Sequence, residues 1–284
     1  MNGMRKFLFF FICCYPPILF AQVTKEKKII SQMLTACEQI KGARFLMESS
    51  EKTKHGKTIN KEIVVKYQAH PSRTYIYCIK PDAGTEVLWR EGVMNNEALV
   101  NPNGFPYISL KLDLNNSLLR KDAHHTVKDI GFDYIRTMVS HYQTILGEKF
   151  YSCLTIADTI QWDGKKLVRL VFDYTDFAYS PYLVQKGEDV TSISHSHYIN
   201  DYMVVCSNAK VDDFDDVKSN QTIRIPNCFG KKVVFGIDLN TMLPLLQEVY
   251  NENGLFEKYE LKRFVINPKF DPAEFTPEYK GYNF

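Results

Sequence analysis

The sequence predicts an α+β domain in which one large antiparallel sheet is wrapped on helices. Three observations predict it. Outside residues 182–226, helical periodicity is confined to two stretches, near residues 29–40 and 127–146. Strand-like runs lie between and after them, parted by turn signals such as Pro81-Asp82-Ala83-Gly84, Pro102-Asn103-Gly104 and Asp163-Gly164. The strands also come in runs and do not alternate with helices, which argues against a parallel βαβ sheet.

Each element has its own signal. Ile29, Ile30, Met33, Leu34, Cys37 and Ile40 recur at steps of three and four, with Lys25, Glu26, Lys28 and Gln32 on the other face, and Gly42 reads as the helix stop. The stretch that follows reads as strands, beginning at 62–67 and continuing at 74–79, 86–90 and a run ending at Val100. The helical period returns at 127–146, where Ile130, Tyr134, Ile135, Met138, Val139, Tyr142, Ile145 and Leu146 share a stripe. Residues 152–161 and 166–174 form a hairpin, residues 182–226 interrupt the pattern, and strands resume at 231–238, 245–251 and 256–264. Pro268, Pro272 and Pro277 mark an extended tail. About 215 residues lie outside the leader and the interruption, enough for one large domain.

The N-terminus reads as a secretion signal. Arg5 and Lys6 precede an apolar run at 7–15, Pro16-Pro17 breaks it, and Leu19-Phe20-Ala21 predicts cleavage after Ala21. Cleavage leaves 33 basic residues (35 − 2) and 33 acidic ones. A chain with that balance and no basic run is a poor nucleic-acid partner. No later apolar stretch has the length of a membrane helix, so the mature chain carries no transmembrane segment and is expected in the periplasm. Five cysteines remain: Cys37, Cys78, Cys153, Cys206 and Cys228. Two readings stand for them, a Cys206–Cys228 bridge or buried free thiols. Their spacing forms no metal pattern, and no cofactor motif is present.

The interruption runs from a strand into Lys186-Gly187-Glu188-Asp189, then a helical run through Val190 and Ile193, a loop at Asn208, and Gln221-Thr222-Ile223-Arg224-Ile225-Pro226. This order resembles the LysM module, a small βααβ unit. The resemblance implies an N-acetylglucosamine-type glycan such as peptidoglycan as partner. It places a shallow groove between Gly187, Glu188, Asp189, Val190 and Thr191 on one side and Asn208, Ala209, Lys218 and Gln221 on the other. Ser219-Asn220 after Lys218 and the acidic run at 212–216 depart from that module's pattern.

The layout outside the interruption resembles the LolA/LolB-like fold, an incompletely closed, barrel-like sheet around helices. PDAGTEVLW at 81–89, LVNPNGFP at 99–106 and GFDYI at 131–135 are similar to a bacterial domain-of-unknown-function family with that fold. The resemblance implies a lipid, lipoprotein or protein partner for the large domain. It divides the chain into a leader at 1–21, a LolA-like domain at 22–180 and 228–284, and a LysM-like insertion at 181–227.

No GxSxG, HExxH or Cys/His context supports catalysis. His124-His125 reads as a solvated pair in a polar loop. His195 and His197, two apart on a helix, point apart. Glu86 and Arg90 read as a strand ion-pair ladder across Leu88. Glu86, Trp89, Arg120 and Asp133 are singled out only by the family resemblance and receive no catalytic role. The expected function is therefore non-enzymatic: an envelope protein that docks to peptidoglycan and binds a lipid or protein. A cell-wall hydrolase and a purely structural scaffold are the alternatives.

Overall fold

A computed structural model describes residues 18–94, 97–105, 107–120 and 123–284. The predicted leader lies outside the described residues except for its last four positions. Helix α1 (Ile18–Glu38) runs through the predicted cleavage point. It is followed by β1 (Gly42–Lys52), β2 (Thr58–Gln68), β3 (Arg73–Lys80), β4 (Glu86–Arg90), β5 (Glu97–Asn101) and β6 (Leu110–Asp113). Short α2 (Ser117–Arg120) leads to α3 (Asp133–Leu146) and α4 (Glu148–Ser152), then β7 (Leu154–Trp162) and β8 (Lys165–Asp173). The interruption supplies β9 (Tyr179–Leu183), α5 (Val190–His197), α6 (Asp201–Ser207) and β10 (Thr222–Pro226). The chain ends with β11 (Lys232–Asp238), β12 (Pro244–Asn251), β13 (Gly254–Ile266) and a tail.

Among the described residues, eleven strands form one antiparallel sheet in the order β6-β5-β4-β3-β2-β1-β13-β12-β11-β8-β7. Its edges, β6 and β7, do not pair with each other, so the sheet is large, antiparallel and open. The predicted turns are present: Asp163 and Gly164 take φ of 46° and 71°, the geometry that favours two-residue hairpins.

The helices lie against one face of the sheet. Ile29, Ile30, Met33 and Cys37 of α1 and Ile135, Met138, Val139 and Tyr142 of α3 are all buried in one core. Burying side chains of this size contributes about 1.5–3 kcal/mol each. The interruption shares that core through Val190, Ile193, Met203, Phe214 and Ile223. Its elements follow in βααβ order, with β9 and β10 paired antiparallel.

Several sequence expectations need correction. Strands β1 and β6 were not anticipated, because β1 turns polar at Glu48, Ser49, Ser50 and Glu51 and β6 is only four residues long. The helix expected over 127–146 is divided: residues 127–129 form a 3₁₀ turn and α3 starts at Asp133. The tail at 267–284 holds a 3₁₀ turn, Pro272–Phe275, capped by Asp271. All five cysteines are free, so the Cys206–Cys228 bridge is not formed. Glu86 does not pair with Arg90. It is fully buried and accepts hydrogen bonds from Asn283 N (3.0 Å) and Nδ2 (2.9 Å), because the tail crosses that face of β4.

Candidate functional site

The concave face of the open sheet, roofed by α3 and the loop before it, encloses a cavity of about 500 Å³. Side-chain alternation builds it. Phe45 and Met47 of β1, Ile63 of β2, Ile76 of β3, Val87 of β4 and Leu112 of β6 all point inward. Ile130, Tyr134 and Met138 close it from the helical side.

The family-like sequence segments frame this cavity. Gly84 takes φ of 84°, and a side chain there would strike Asn103. Asn103 Nδ2 donates to Ala83 O (3.0 Å) and Thr85 Oγ1 donates to Pro102 O (3.2 Å), so the two turns are clasped at the cavity wall. Gly131 takes φ of 120° and lets the Tyr67 ring pack where a side chain would otherwise stand. These segments therefore shape the container and supply little chemistry.

One side of the cavity is ionic. Glu51 and Glu257 occupy facing positions on β1 and β13. Glu257 accepts from His124 Nδ1 (2.7 Å), His125 Nε2 (3.2 Å) and Asn200 Nδ2 (3.0 Å). Glu51 accepts from Lys61 Nζ (2.8 Å), Tyr259 OH (2.6 Å) and His124 N (3.2 Å). The expected solvated histidine pair is thus wrong for His124, which is 1% exposed and stacked on Tyr202 at 4.2 Å.

Burial opposes the charge on each of these groups, and the partners overcome it. His125 is pushed up to about 9 because Glu257 outweighs desolvation. Burial raises the Glu257 carboxyl, but His125 and His124 bring it well below the ordinary carboxylate range. Burial likewise raises Glu51, and Lys61 and His124 pull it below that range. Tyr259 is held well above its usual value by burial and by both carboxylates, so its hydroxyl remains a donor.

Arg120 joins this region to the interruption. It is 2% exposed, pairs with Asp201 on α6 (2.7 Å), donates to His124 O (3.0 Å) and lies 3.6 Å from the Phe214 ring centroid. Asp133, at the start of α3, lies 3.6 Å from Arg136, and Trp89 is buried in a small cluster whose members Val87, Val100 and Leu114 line the cavity. His195 lies 3.5 Å from Asp129, while His197 packs edge-on against Tyr182.

The residues expected to bind glycan spend much of their hydrogen bonding inside the fold. Asp189 caps α5 through Ser192 N (2.6 Å), and Glu188 accepts from Tyr182 OH (2.9 Å). Val190 is fully buried, and Thr191 donates to Asn115 of the large domain (3.1 Å). Gln221 accepts from Lys218 N (2.9 Å), which brings those two together beside the end of β9. Asn208 sits farther along β10, bonded to Arg224 N and O (both 2.8 Å), and Ala209 O accepts from Lys54 (3.4 Å). Gly187 is exposed, with φ of 85° and open space around it.

Sequence reasoning missed Glu51, Glu257 and Tyr259. Their only local signal was a polar residue at an inward position of a strand.

A family model described as "Protein of unknown function (DUF1571)" matches residues 40–183. The chain belongs to the DUF1571 family. In this DUF1571 protein the matched segment runs from the start of β1 to the end of β9 and supplies most of the cavity wall. No curated protein matches the sequence. Among solved structures, the MucA/MucB complex of Pseudomonas aeruginosa is similar at 12% identity and a TM-score of 0.43, covering 88% of this chain and 60% of that chain. The lipoprotein LppX of Mycobacterium tuberculosis is similar at 9% identity and a TM-score of 0.41, covering 87% and 98%. A LolA superfamily protein of Nitrosomonas europaea is similar at 8% identity and a TM-score of 0.34, covering 87% and 96%. The DUF1571 protein spans only about three fifths of the MucB chain. At these scores the likenesses decide nothing about its function.

Proposed function

We propose that this protein is an envelope binding protein that holds an apolar, acyl-chain-type ligand between the open sheet and α3. The observation that carries the reading is the cavity of about 500 Å³ with Phe45, Met47, Ile63, Ile76 and Leu112 on its wall. Its size and lining suit a small amphiphile or lipid tail. No helix among the described residues is long and apolar enough to cross a membrane. The secretion-type leader read from the sequence supports a periplasmic location.

The test is organic extraction of purified protein followed by mass spectrometry, with displacement of the neutral fluorophore N-phenyl-1-naphthylamine as a second readout. Lipid in the extract and a saturable signal weakened by Ile76→Trp, which fills the cavity, are expected. Protein that yields no lipid and binds no fluorophore sinks the reading.

Glycan docking through 181–227 is a second reading, supported by the βααβ order and by the exposed Gly187. Its groove would be walled by Gly187, Glu188, Asp189, Val190 and Thr191 and by Asn208, Ala209, Lys218 and Gln221. Because this segment shares the main core, deleting it is a poor test. Exposed-site variants Gly187→Val and Lys218→Glu are the better ones, assayed by pull-down on peptidoglycan sacculi. Retention of wild type and loss in both variants is expected; no retention of wild type removes this reading and leaves the cavity untouched.

A further inference from the structure

The cavity wall carries a polar band. Lys61, Ser49, Tyr259 and Gln247 are successive register partners across β2, β1, β13 and β12, and all four line the cavity. His125 and Tyr134 line it from the loop and α3. Lys61 and Tyr259 are bound to Glu51. The Ser49 hydroxyl, the Gln247 amide, the Tyr134 hydroxyl and Nδ1 of His125 have no hydrogen-bond partner among the described residues.

A bare hydrocarbon filling the cavity would strip water from these four groups and return no hydrogen bond, which is unfavourable. The ligand therefore needs a polar part at the band. Formal charge decides what kind. Among the described residues, the lining holds four carboxylates (Glu51, Asp82, Asp129, Glu257) against three cationic groups (Lys61, Arg120, His125). Each of those cations already pairs with a carboxylate: Lys61 with Glu51, Arg120 with Asp201 and His125 with Glu257. An anionic head would meet excess negative charge and, among the described residues, no uncommitted cation. A cationic head would meet Glu51, Asp129 and Glu257 already engaged, by Lys61, Thr126 and His124 among others, and the fourth carboxylate, Asp82, is exposed to water and away from the band.

We infer that the ligand is an amphiphile with an uncharged hydrogen-bonding head group, an ester, amide or hydroxyl, seated between Ser49 and Gln247 on the sheet and His125 and Tyr134 opposite. This rests on the cavity reading above and deepens it. The protonated state of His125 near neutral pH supports it, since Nδ1 then carries a proton to donate. Tyr134 is likewise held well above its usual value by burial, so its hydroxyl is a donor.

The test is competition of 1-monooleoylglycerol and oleate, both below their aggregation concentrations, against N-phenyl-1-naphthylamine bound to the full protein. The two competitors share one chain and differ in head charge. Monooleoylglycerol is expected to displace the fluorophore at least about tenfold more tightly than oleate, and Gln247→Leu combined with Tyr134→Phe to narrow that ratio to about twofold, each competition being referred to the variant's own fluorophore affinity. An unchanged circular dichroism spectrum shows that the double variant is folded. Equal competition, tighter oleate, or an unchanged ratio in the variant overturns the head-group inference and leaves the cavity reading standing. A fluorophore that never binds overturns both.

Discussion

Glu51 and Glu257 stand directly opposite each other on β1 and β13, two carboxylates in register on the concave face of the sheet. Like charges in that relationship repel and weaken a strand pair. Here His124 spans them, giving its backbone N–H to Glu51 and its ring to Glu257, while Lys61 and His125 supply charge. The central ladder and the cavity's ionic side are thus one construction.

Removing one member should be costly. Glu257→Gln leaves His125 without its counter-charge beside a carboxamide that can satisfy only some of three donors. A loss of about 3 kcal/mol is expected, the scale for breaking a buried pair, read by urea unfolding. A change within about 0.5 kcal/mol would show that the network contributes little.

Stability should depend on pH from both sides. His125 has a folded pKa raised from 6.5 to about 9, so its contribution is complete below 6.5 and lost as pH rises through about 9. Glu257 and Glu51 are lowered from 4.5, so theirs is complete above 4.5 and lost as pH falls toward their folded values. The melting temperature should be highest between 4.5 and 6.5. His125→Gln should flatten the alkaline limb and spare the acid one. An alkaline limb that is unchanged in that variant assigns the loss to another group.

The tail is predicted to be structural. Tyr282 stacks on Tyr75 with ring centroids 3.8 Å apart, and Asn283 supplies two hydrogen bonds to fully buried Glu86. Asn283→Ala removes the side-chain bond from a buried carboxylate and should cost about 1–3 kcal/mol in chemical denaturation. Glu278→Ala, exposed in the same tail with no such bond, is the control and should stay within about 0.5 kcal/mol.

Gly131 should not tolerate a side chain. At φ of 120°, an added methyl is both strained and driven into the Tyr67 ring. Gly131→Ala should destabilise by about 2 kcal/mol or more and weaken fluorophore binding, since Gly131, Ile130 and Tyr134 all border the cavity. Gly56→Ala also sits at positive φ but in open space, and its smaller loss separates strain from collision.

What was legible in the sequence was local. The Asp163-Gly164 hairpin, the α1 and α3 stripes and the last three strands follow from period and turn chemistry within a few residues. β1 was missed because its inward positions change from Phe45 and Met47 to Ser49 and Glu51, which erases the apolar alternation. Of the two strands that escaped detection, β1 carries Ser49 of the polar band. His124 looked like a loop residue because its partner, Glu257, lies 133 positions away in sequence. Functional polarity inside a cavity breaks the pattern that reveals a strand.

The β1–β13 ladder has a last consequence, for the order of events during biosynthesis. Ala43 pairs with Ile266, so the middle of the sheet joins two segments far apart in sequence. Contacts of such long range delay folding, because the loop between them must close before they reward it. The sheet stays in two separate halves until β13 has been made. A nascent chain wired this way remains threadable until β13 emerges, and it then acquires its central seam and its ligand chamber together.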